Sequence, residues 1–120
     1  EAQIICQPVR KDGQRYRAIN PWSDNDARIL EAVNRGEFAI NGFRNRDLRA
    51  LLFNTRATQH EQKRRAGVVT RKIRLLRGHG LIRKVSGTHR YIVTEKGRRI
   101  ITALLSARQA DIQQLTALAA

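Results

Sequence analysis

The chain has 120 residues, 41% of them apolar, enough for one domain with a real core. It carries a net charge of +14 and has no run of 18 apolar residues, which excludes a membrane span and makes a polyanion the natural partner. The excess of positive charge lies between Arg44 and Arg99, where there are 17 Lys or Arg and three acids, whereas the rest of the chain has seven of each. Because the charge is segregated in one segment, a merely solvated basic surface is the weaker interpretation.

The N-terminal part predicts a β-hairpin over residues 4–19, because Asp12-Gly13 is a tight-turn dipeptide. A helix is then predicted to start at Ser23, a capping residue with an acid, Asp26, three positions later. We expect Gly36 to end this helix and Trp22 to be a core anchor or staple.

The middle of the chain predicts a short extended piece over residues 38–43 and a second helix capped by Asn45. Residues 54–65 are polar and poorly patterned, which indicates a loop or a frayed turn. The second helix is expected to bury three leucines, Leu48, Leu51 and Leu52.

A third helix is predicted at about residues 66–78, because Val69, Ile73 and Leu76 recur at helical spacing. Two short strands follow within 81–94, joined by a loop that contains Gly87. Thr94 then caps a long final helix, whose apolar stripe consists of Ile101, Leu104, Leu105, Ile112, Leu115 and Ala119.

The segment LRGHGLIRKVSGTHRYIVTEKGRRI, residues 76–100, resembles part of the winged-helix bacterial regulators of the MarR type. The similarity covers the end of a recognition helix, the wing and the helix that follows. It is strongest over 68–101, looser back to about residue 23, and absent from residues 1–22. The resemblance implies an α+β, mainly α fold: a winged helix-turn-helix with a three-helix core and a small antiparallel wing sheet. To this are added an N-terminal hairpin and a long C-terminal helix.

This resemblance implies transcription regulation through double-stranded DNA, with the recognition helix at about 66–78 in the major groove. The wing, residues 83–91, would lie on the adjacent backbone or minor groove. The residues support this interpretation, because one face of the third helix is apolar and the other is cationic. We expect Arg74 to contact guanine and Arg71 to contact guanine or phosphate; solvated arginines, or arginines that hold only phosphate, are the alternative.

The predicted DNA-binding residues come from the start of the second helix, the third helix and the wing. The glycine near the start of the third helix would permit close approach to DNA, and the wing contributes a small polar tip. They are Arg44, Arg46, Arg65, Gly67, Thr70, Arg71, Arg74, Arg77, Lys84, Ser86, Thr88, His89 and Arg90.

Enzymatic activity is not expected, and neither is a cofactor. His60, His79 and His89 have no metal-ligand spacing with one another or with Cys6, and His79 is better explained as a helix end. Nucleophile-elbow, phosphate-loop and dinucleotide-binding motifs are absent from the sequence. The single cysteine suits a reducing, cytoplasmic compartment.

The domain organisation is predicted as an extension over 1–22, a winged-helix domain over 23–99 and a C-terminal helix over 100–120. The sequence contains no Met, which favours a terminal piece of a longer bacterial protein. A protein-interaction module and an RNA-binding domain are the alternative functions. The last helix repeats apolar residues close to a heptad seam and is expected either to associate, with a second copy or another domain, or to fold back onto residues 4–19.

Overall fold

The computed structural model describes residues 5–119, so Ile4 of the predicted hairpin and Ala120 of the predicted last helix lie outside it. The protein is α+β and mainly helical, as expected. In chain order its elements are β1 (Val9–Lys11), β2 (Gln14–Tyr16), α1 (Asp24–Val33), a 3-10 turn (Gly36–Phe38), α2 (Asn45–Leu52), α3 (Gln59–Gly78), β3 (Ile82–Lys84), β4 (Tyr91–Val93) and α4 (Glu95–Ala119).

The predicted N-terminal hairpin is confirmed, but it is shorter than the predicted range 4–19: its strands span only residues 9–11 and 14–16, and Ile5 is helical. Strands β1 and β2 pair antiparallel with Lys11 opposite Gln14. Asp12 and Gly13 have φ of 52° and 77°, as a two-residue type I′ turn requires.

Helix α1 starts where the sequence predicts but ends earlier. The Ser23 side chain accepts a hydrogen bond from the Asp26 N–H at 3.4 Å, which confirms the cap. The helix ends at Val33 with Asn34 as C-cap, so the prediction that Gly36 ends it is wrong. Asn34 is fixed there because its carbonyl and side-chain oxygens both accept hydrogen bonds from Arg98 of α4.

Trp22 is not a core anchor, because its side chain is 53% exposed. The backbone turns tightly before α1: the Ser23 N–H donates to the Asn20 carbonyl and the Trp22 N–H donates to the Asn20 side chain. This turn buries Pro21 and leaves Trp22 on the outside.

The segment predicted to be extended over 38–43 is mostly a 3-10 turn and a bend. Only Phe43 pairs with a strand, through two 2.8 Å hydrogen bonds with the backbone of Tyr91. Gly42 precedes it at φ 71°, and a Cβ at Gly42 would collide with the Tyr91 carbonyl. The β3–β4 sheet therefore has a third strand position that is one residue long.

Helix α3 begins at Gln59, so the prediction of a loop over 54–65 is wrong for its second half. Thr58 is the N-cap, and its hydroxyl accepts from the Glu61 N–H at 3.1 Å. Glu61 also pairs with Arg64 and Arg65, three and four residues on. Such pairs stabilise a helical turn that has no apolar stripe.

Asn45 does not cap α2, because Arg44 is the N-cap and Asn45 is the first helical residue. The Asn45 amide instead donates to the Ala66 carbonyl and to the Thr70 hydroxyl, both at 3.1 Å. These bonds tie the start of α2 to the middle of α3. Leu48 is fully buried, whereas Leu51 and Leu52 are only half-buried.

The strands β3 and β4 and the cap of α4 are confirmed. Ile82 lies opposite Val93 in an antiparallel pair, and the Thr94 hydroxyl accepts from the Gly97 N–H at 2.9 Å. A Cβ at Gly97 would overlap the backbone of Leu81, so glycine lets α4 pack directly against the start of β3.

One core joins the four helices, the β3–β4 hairpin and part of the N-terminal segment. Ile5 and Ile19 from the N-terminal segment and Ile100, Ile101 and Leu104 from α4 lie in the same buried cluster as the central helices. The predicted boundaries after residues 22 and 99 stay predictions, but both flanking segments contribute to this core.

The second half of α4 extends beyond the core. Every described residue from Gln109 onward is exposed, including Ile112 at 39%, Leu115 at 66% and Leu118 at 80%. This half does not fold back onto the described part of the N-terminal hairpin. Among residues 5–119, no helix is both long and apolar enough to cross a bilayer.

Candidate nucleic-acid interface

The β1–β2 hairpin is fixed against the C-terminal half of α3. The Tyr16 ring lies on Gly78, where a Cβ would overlap the ring atoms. Gln14 accepts a hydrogen bond from Arg74, whose guanidinium also lies 5.9 Å from the centre of the Tyr16 ring. Lys11 Nζ donates to the Arg77 carbonyl at 3.3 Å, which satisfies an acceptor at the helix end.

His79 adds a buried contact between the same two elements. It is the C-cap of α3, as expected, and is only 5% exposed. Its Nε2 lies 2.7 Å from the Arg17 carbonyl just after β2. The hairpin is therefore held at several points along the last two turns of α3.

A groove of about 720 Å³ lies beside the hairpin, and we call it the first groove. Its floor is α3, and its walls are the β1–β2 turn, the start of α2 and the loop end of the β3–β4 hairpin at His89 and Tyr91. The described residues that line it include six Lys or Arg and one acid, Asp12. The cations are Lys11, Arg44, Arg46, Arg49, Arg74 and Arg77, joined by His89.

Buried polar atoms without partners lie along the α2 wall of this groove. Arg44 Nε, Arg49 Nε and Asn45 Oδ1 are shielded from solvent and have no hydrogen-bond partner among the described residues. A buried donor without an acceptor costs free energy.

A second groove of about 430 Å³ lies on the other side of the hairpin. Tyr16 and Arg74 line both grooves, so they form the ridge between them. The cations of the second groove are Arg15, Arg17, Arg71, Lys72 and Arg74.

The pKa of Lys72, which lines the second groove, depends on its burial and on the charges around it. Burial, with the positive charges of Arg17 and Arg28, lowers the pKa of the Lys72 ammonium group despite the nearby Asp26 carboxylate. The lowered pKa therefore shows mainly that the Lys72 ammonium group is partly desolvated on this side of the groove.

Asp26 is the buried acid behind this groove. Its carboxylate is 4% exposed and forms two 2.9 Å bonds with Arg17 and a 2.8 Å bond with the Asn20 N–H. Burial alone would raise the pKa of the Asp26 carboxyl, but the bonds from Arg17 and Asn20 and the charges of Arg17 and Lys72 outweigh burial and lower the pKa. The ion pair with Asp26 neutralises the charge of Arg17, whereas Arg15 and Arg71 keep their positive charge in the groove.

The β3–β4 hairpin carries the residues that the sequence assigns to the wing. Ser86 and Gly87 are exposed at the tip, where Gly87 has φ 73°. Thr88 is committed to the turn, because its hydroxyl bonds to the Val85 carbonyl and the Arg90 N–H. Arg90 donates to the Asn41 carbonyl at 3.3 Å, whereas Lys84 is exposed to solvent.

Two predicted residues on α3 lie away from both grooves. Arg65 donates to the carbonyl and hydroxyl of Thr55 at 2.8 and 2.7 Å and stacks 5.0 Å from the Phe53 ring. It therefore holds the α2–α3 loop. Gly67 lies near the middle of the helix, and a Cβ there would meet only the end of the Arg71 side chain at 3.5 Å.

The structure thus brings together Arg44, Arg46, Thr70, Arg74, Arg77 and His89 in one groove and places Arg71 in the other. Sequence reasoning missed Lys11, Arg15 and Arg49, which line the grooves. The signal for Arg49 was present, since it follows Arg46 by three residues on a helix. No sequence signal showed where the N-terminal hairpin docks.

The start of α3 also exposes polar side chains that the sequence analysis assigned to a loop. They are Gln59, His60, Gln62, Lys63 and Arg64. Neither groove extends to residues 59–67, so this end of the helix is not enclosed by either hairpin.

Within residues 5–119, no group of three or more His, Cys, Asp or Glu side chains is arranged to hold a metal ion. Comparison of the chain with models of protein families, with curated proteins and with solved structures finds no match.

Proposed function

We propose that this chain binds double-stranded DNA through a winged helix-turn-helix, with α2 and α3 as the helix-turn-helix and the β3–β4 hairpin as the wing. The observation that carries the proposal is the first groove, where side chains from β1, the start of α2 and α3 place six Lys or Arg around one concave surface. Segregated cations of this kind suit the phosphates of a nucleic acid.

The arrangement of elements supports the winged-helix part of the proposal. Three helices precede the hairpin, and Phe43 bridges to Tyr91 to supply the first strand position of the small sheet. Asn45 links α2 to α3 by two hydrogen bonds and so fixes the relative placement of the two helices.

The two halves of α3 have different roles in this proposal. The C-terminal half forms the floor of the first groove, where the exposed side chains of Arg74 and Arg77 hold phosphate. The N-terminal half, residues 59–67, is free of both hairpins and enters the major groove with its first turns, as recognition helices do. In this proposal the base contacts come from Gln59, His60 and Lys63, which precede in the helix the arginines that the sequence favoured.

The test is a fluorescence-anisotropy titration of the 120-residue chain with a duplex of about two helical turns at several salt concentrations. If about five to eight phosphates are neutralised, the logarithm of affinity should fall with the logarithm of salt with a slope of about −5 to −7. Absence of binding at low salt would overturn the proposal. Tighter binding to a matched RNA duplex would transfer it to RNA.

A second candidate function, association with another protein chain, is favoured by one specific observation. The last part of α4 exposes three large apolar side chains on a helix that leaves the core. This function is compatible with DNA binding.

A further inference from the structure

The register of the β1–β2 hairpin sorts its side chains onto two faces. Residues opposite each other in an antiparallel pair point to the same face, and the faces alternate along each strand. Lys11, Gln14 and Tyr16 contact α3. Arg10 and Arg15, which are paired with each other, therefore point away from α3.

This outer face places two like charges directly opposite each other. Both arginines are exposed, and neither side chain has a hydrogen bond, ion pair or ring contact with any described residue. Like charges at this position destabilise a sheet. A two-stranded hairpin is marginal by itself, so the fold gains nothing from this repulsion.

The hairpin nevertheless holds the two side chains in a defined place. Tyr16 against Gly78, Lys11 on the Arg77 carbonyl and His79 on the Arg17 carbonyl fix both strands to the end of α3. An anion bound between the guanidinium groups would turn the repulsion into attraction. Guanidinium groups suit phosphate, because they present several donors in one plane.

Positive charge continues from this pair along α3. Arg15 also lines the second groove, whose other cations include Arg71 and Lys72. The outer face of the hairpin and the second groove form one cationic surface on the side of the hairpin away from the first groove.

We propose that Arg10 and Arg15 form a phosphate clamp that holds the DNA backbone, so that the N-terminal hairpin is a second DNA-contacting hairpin beside α3. The proposal rests on the DNA binding proposed above and adds a contact site that lies outside the winged-helix segment. The second groove guides the same strand along α3 through Arg71.

The experiment compares the chain with its Arg10→Gln/Arg15→Gln variant in the same salt titration. The variant should bind about tenfold more weakly at ~0.1 M salt, and its salt slope should be shallower by about one for each phosphate that the clamp no longer neutralises. Its melting temperature should stay the same or rise, because the like-charge repulsion is gone.

The matched control is Arg28→Gln/Arg35→Gln, which also removes two positive charges, but from side chains that lie outside both grooves and already bind the Leu52 carbonyl and Glu37. If the wild-type chain binds DNA and the hairpin variant has the same affinity as this control, the clamp is overturned. The proposed function is then left intact. A wild-type chain that fails to bind at low salt would instead overturn the proposed function itself, and the clamp with it.

Discussion

Asp26 shows how one residue links the hairpin, α1 and α3. We expect Asp26→Asn to lower the free energy of unfolding at pH 7 by about 1–2 kcal/mol, because it weakens charged hydrogen bonds to Arg17 and Asn20. The neighbouring Asp24→Asn is the control; Asp24 is 89% exposed and pairs only at the surface. Urea unfolding of both variants measures the difference, and equal losses would contradict the structural role of Asp26.

The same residue gives stability a pH dependence. The pKa of Asp26 is lowered in the folded protein, so the unfolded chain binds the proton more readily. The contribution of Asp26 should be fully present above the ordinary carboxyl pKa of about 4 and should be lost as pH falls through the lowered value. The wild-type chain and Asp26→Asn should therefore converge in stability on acidification, which urea unfolding at pH 7 and about pH 3 would show.

Gly78 tests whether the hairpin is an integral part of the fold. A Cβ at this position overlaps the Tyr16 ring, so Gly78→Ala should cost about 1–3 kcal/mol of stability by overpacking. Gly67→Ala in the same helix meets only the end of Arg71 and should stabilise by about 0.5–1 kcal/mol. Thermal unfolding of both variants provides the measurement, and stabilisation by both would mean that Tyr16 moves away without cost.

At the scale of elements, the sequence located the helices whose apolar residues recur with helical spacing and the hairpins with turn-forming glycines. The sequence identified Ser23 and Thr94 as N-caps. In the structure both side chains accept a hydrogen bond from the N–H group three residues later. The first two turns of α3 were missed, because a cap and ion pairs stabilise them and hydrophobic periodicity does not report either.

The candidate site was predictable only in part, for a related reason. Local patterns assigned Arg44, Arg46, Arg74 and Arg77 to a DNA-binding surface, and these residues line one groove. The contribution of the N-terminal hairpin depends on Tyr16 meeting Gly78, two residues that are distant in sequence. Pattern reasoning along one chain does not reveal such a meeting.

The two halves of α3 should respond differently to substitution. Lys63→Ala should change the ranking of duplex sequences, by about 1–3 kcal/mol at a contacted base pair, because residues 59–67 are free to enter the major groove. Arg77→Gln, in the C-terminal half, should weaken all duplexes alike. Competition titrations with a panel of duplexes measure both effects, and uniform weakening by Lys63→Ala would restrict α3 to phosphate contacts.

At the scale of the whole molecule, charge and apolar surface lie in different places. The cations gather around the C-terminal half of α3, whereas the distal part of α4 carries only Asp111 between residues 109 and 119. A helix with so little charge and three exposed large apolar side chains is poorly suited to water. The proposed DNA contact and the proposed chain association therefore use separate surfaces.

Self-association through α4 is the prediction that belongs to this scale. Helix α4 has 25 residues, roughly 38 Å, and its residues 101, 105, 108, 112, 115 and 119 follow the alternating spacing of a coiled-coil seam. We expect sedimentation to show a dimer and Leu115→Asp to convert it to a folded monomer, because Leu115 is 66% exposed and lies outside the core.

Gln114→Asp introduces the same charge one position away, off the seam, and should leave the dimer intact. Circular dichroism of both variants checks that the fold is retained. A wild-type chain that sediments as a monomer would contradict self-association and would leave another protein chain as the partner that the distal helix requires. A Leu115→Asp chain that loses its fold would contradict the separation of this strip from the core, because a residue outside the core should contribute to stability only through the dimer.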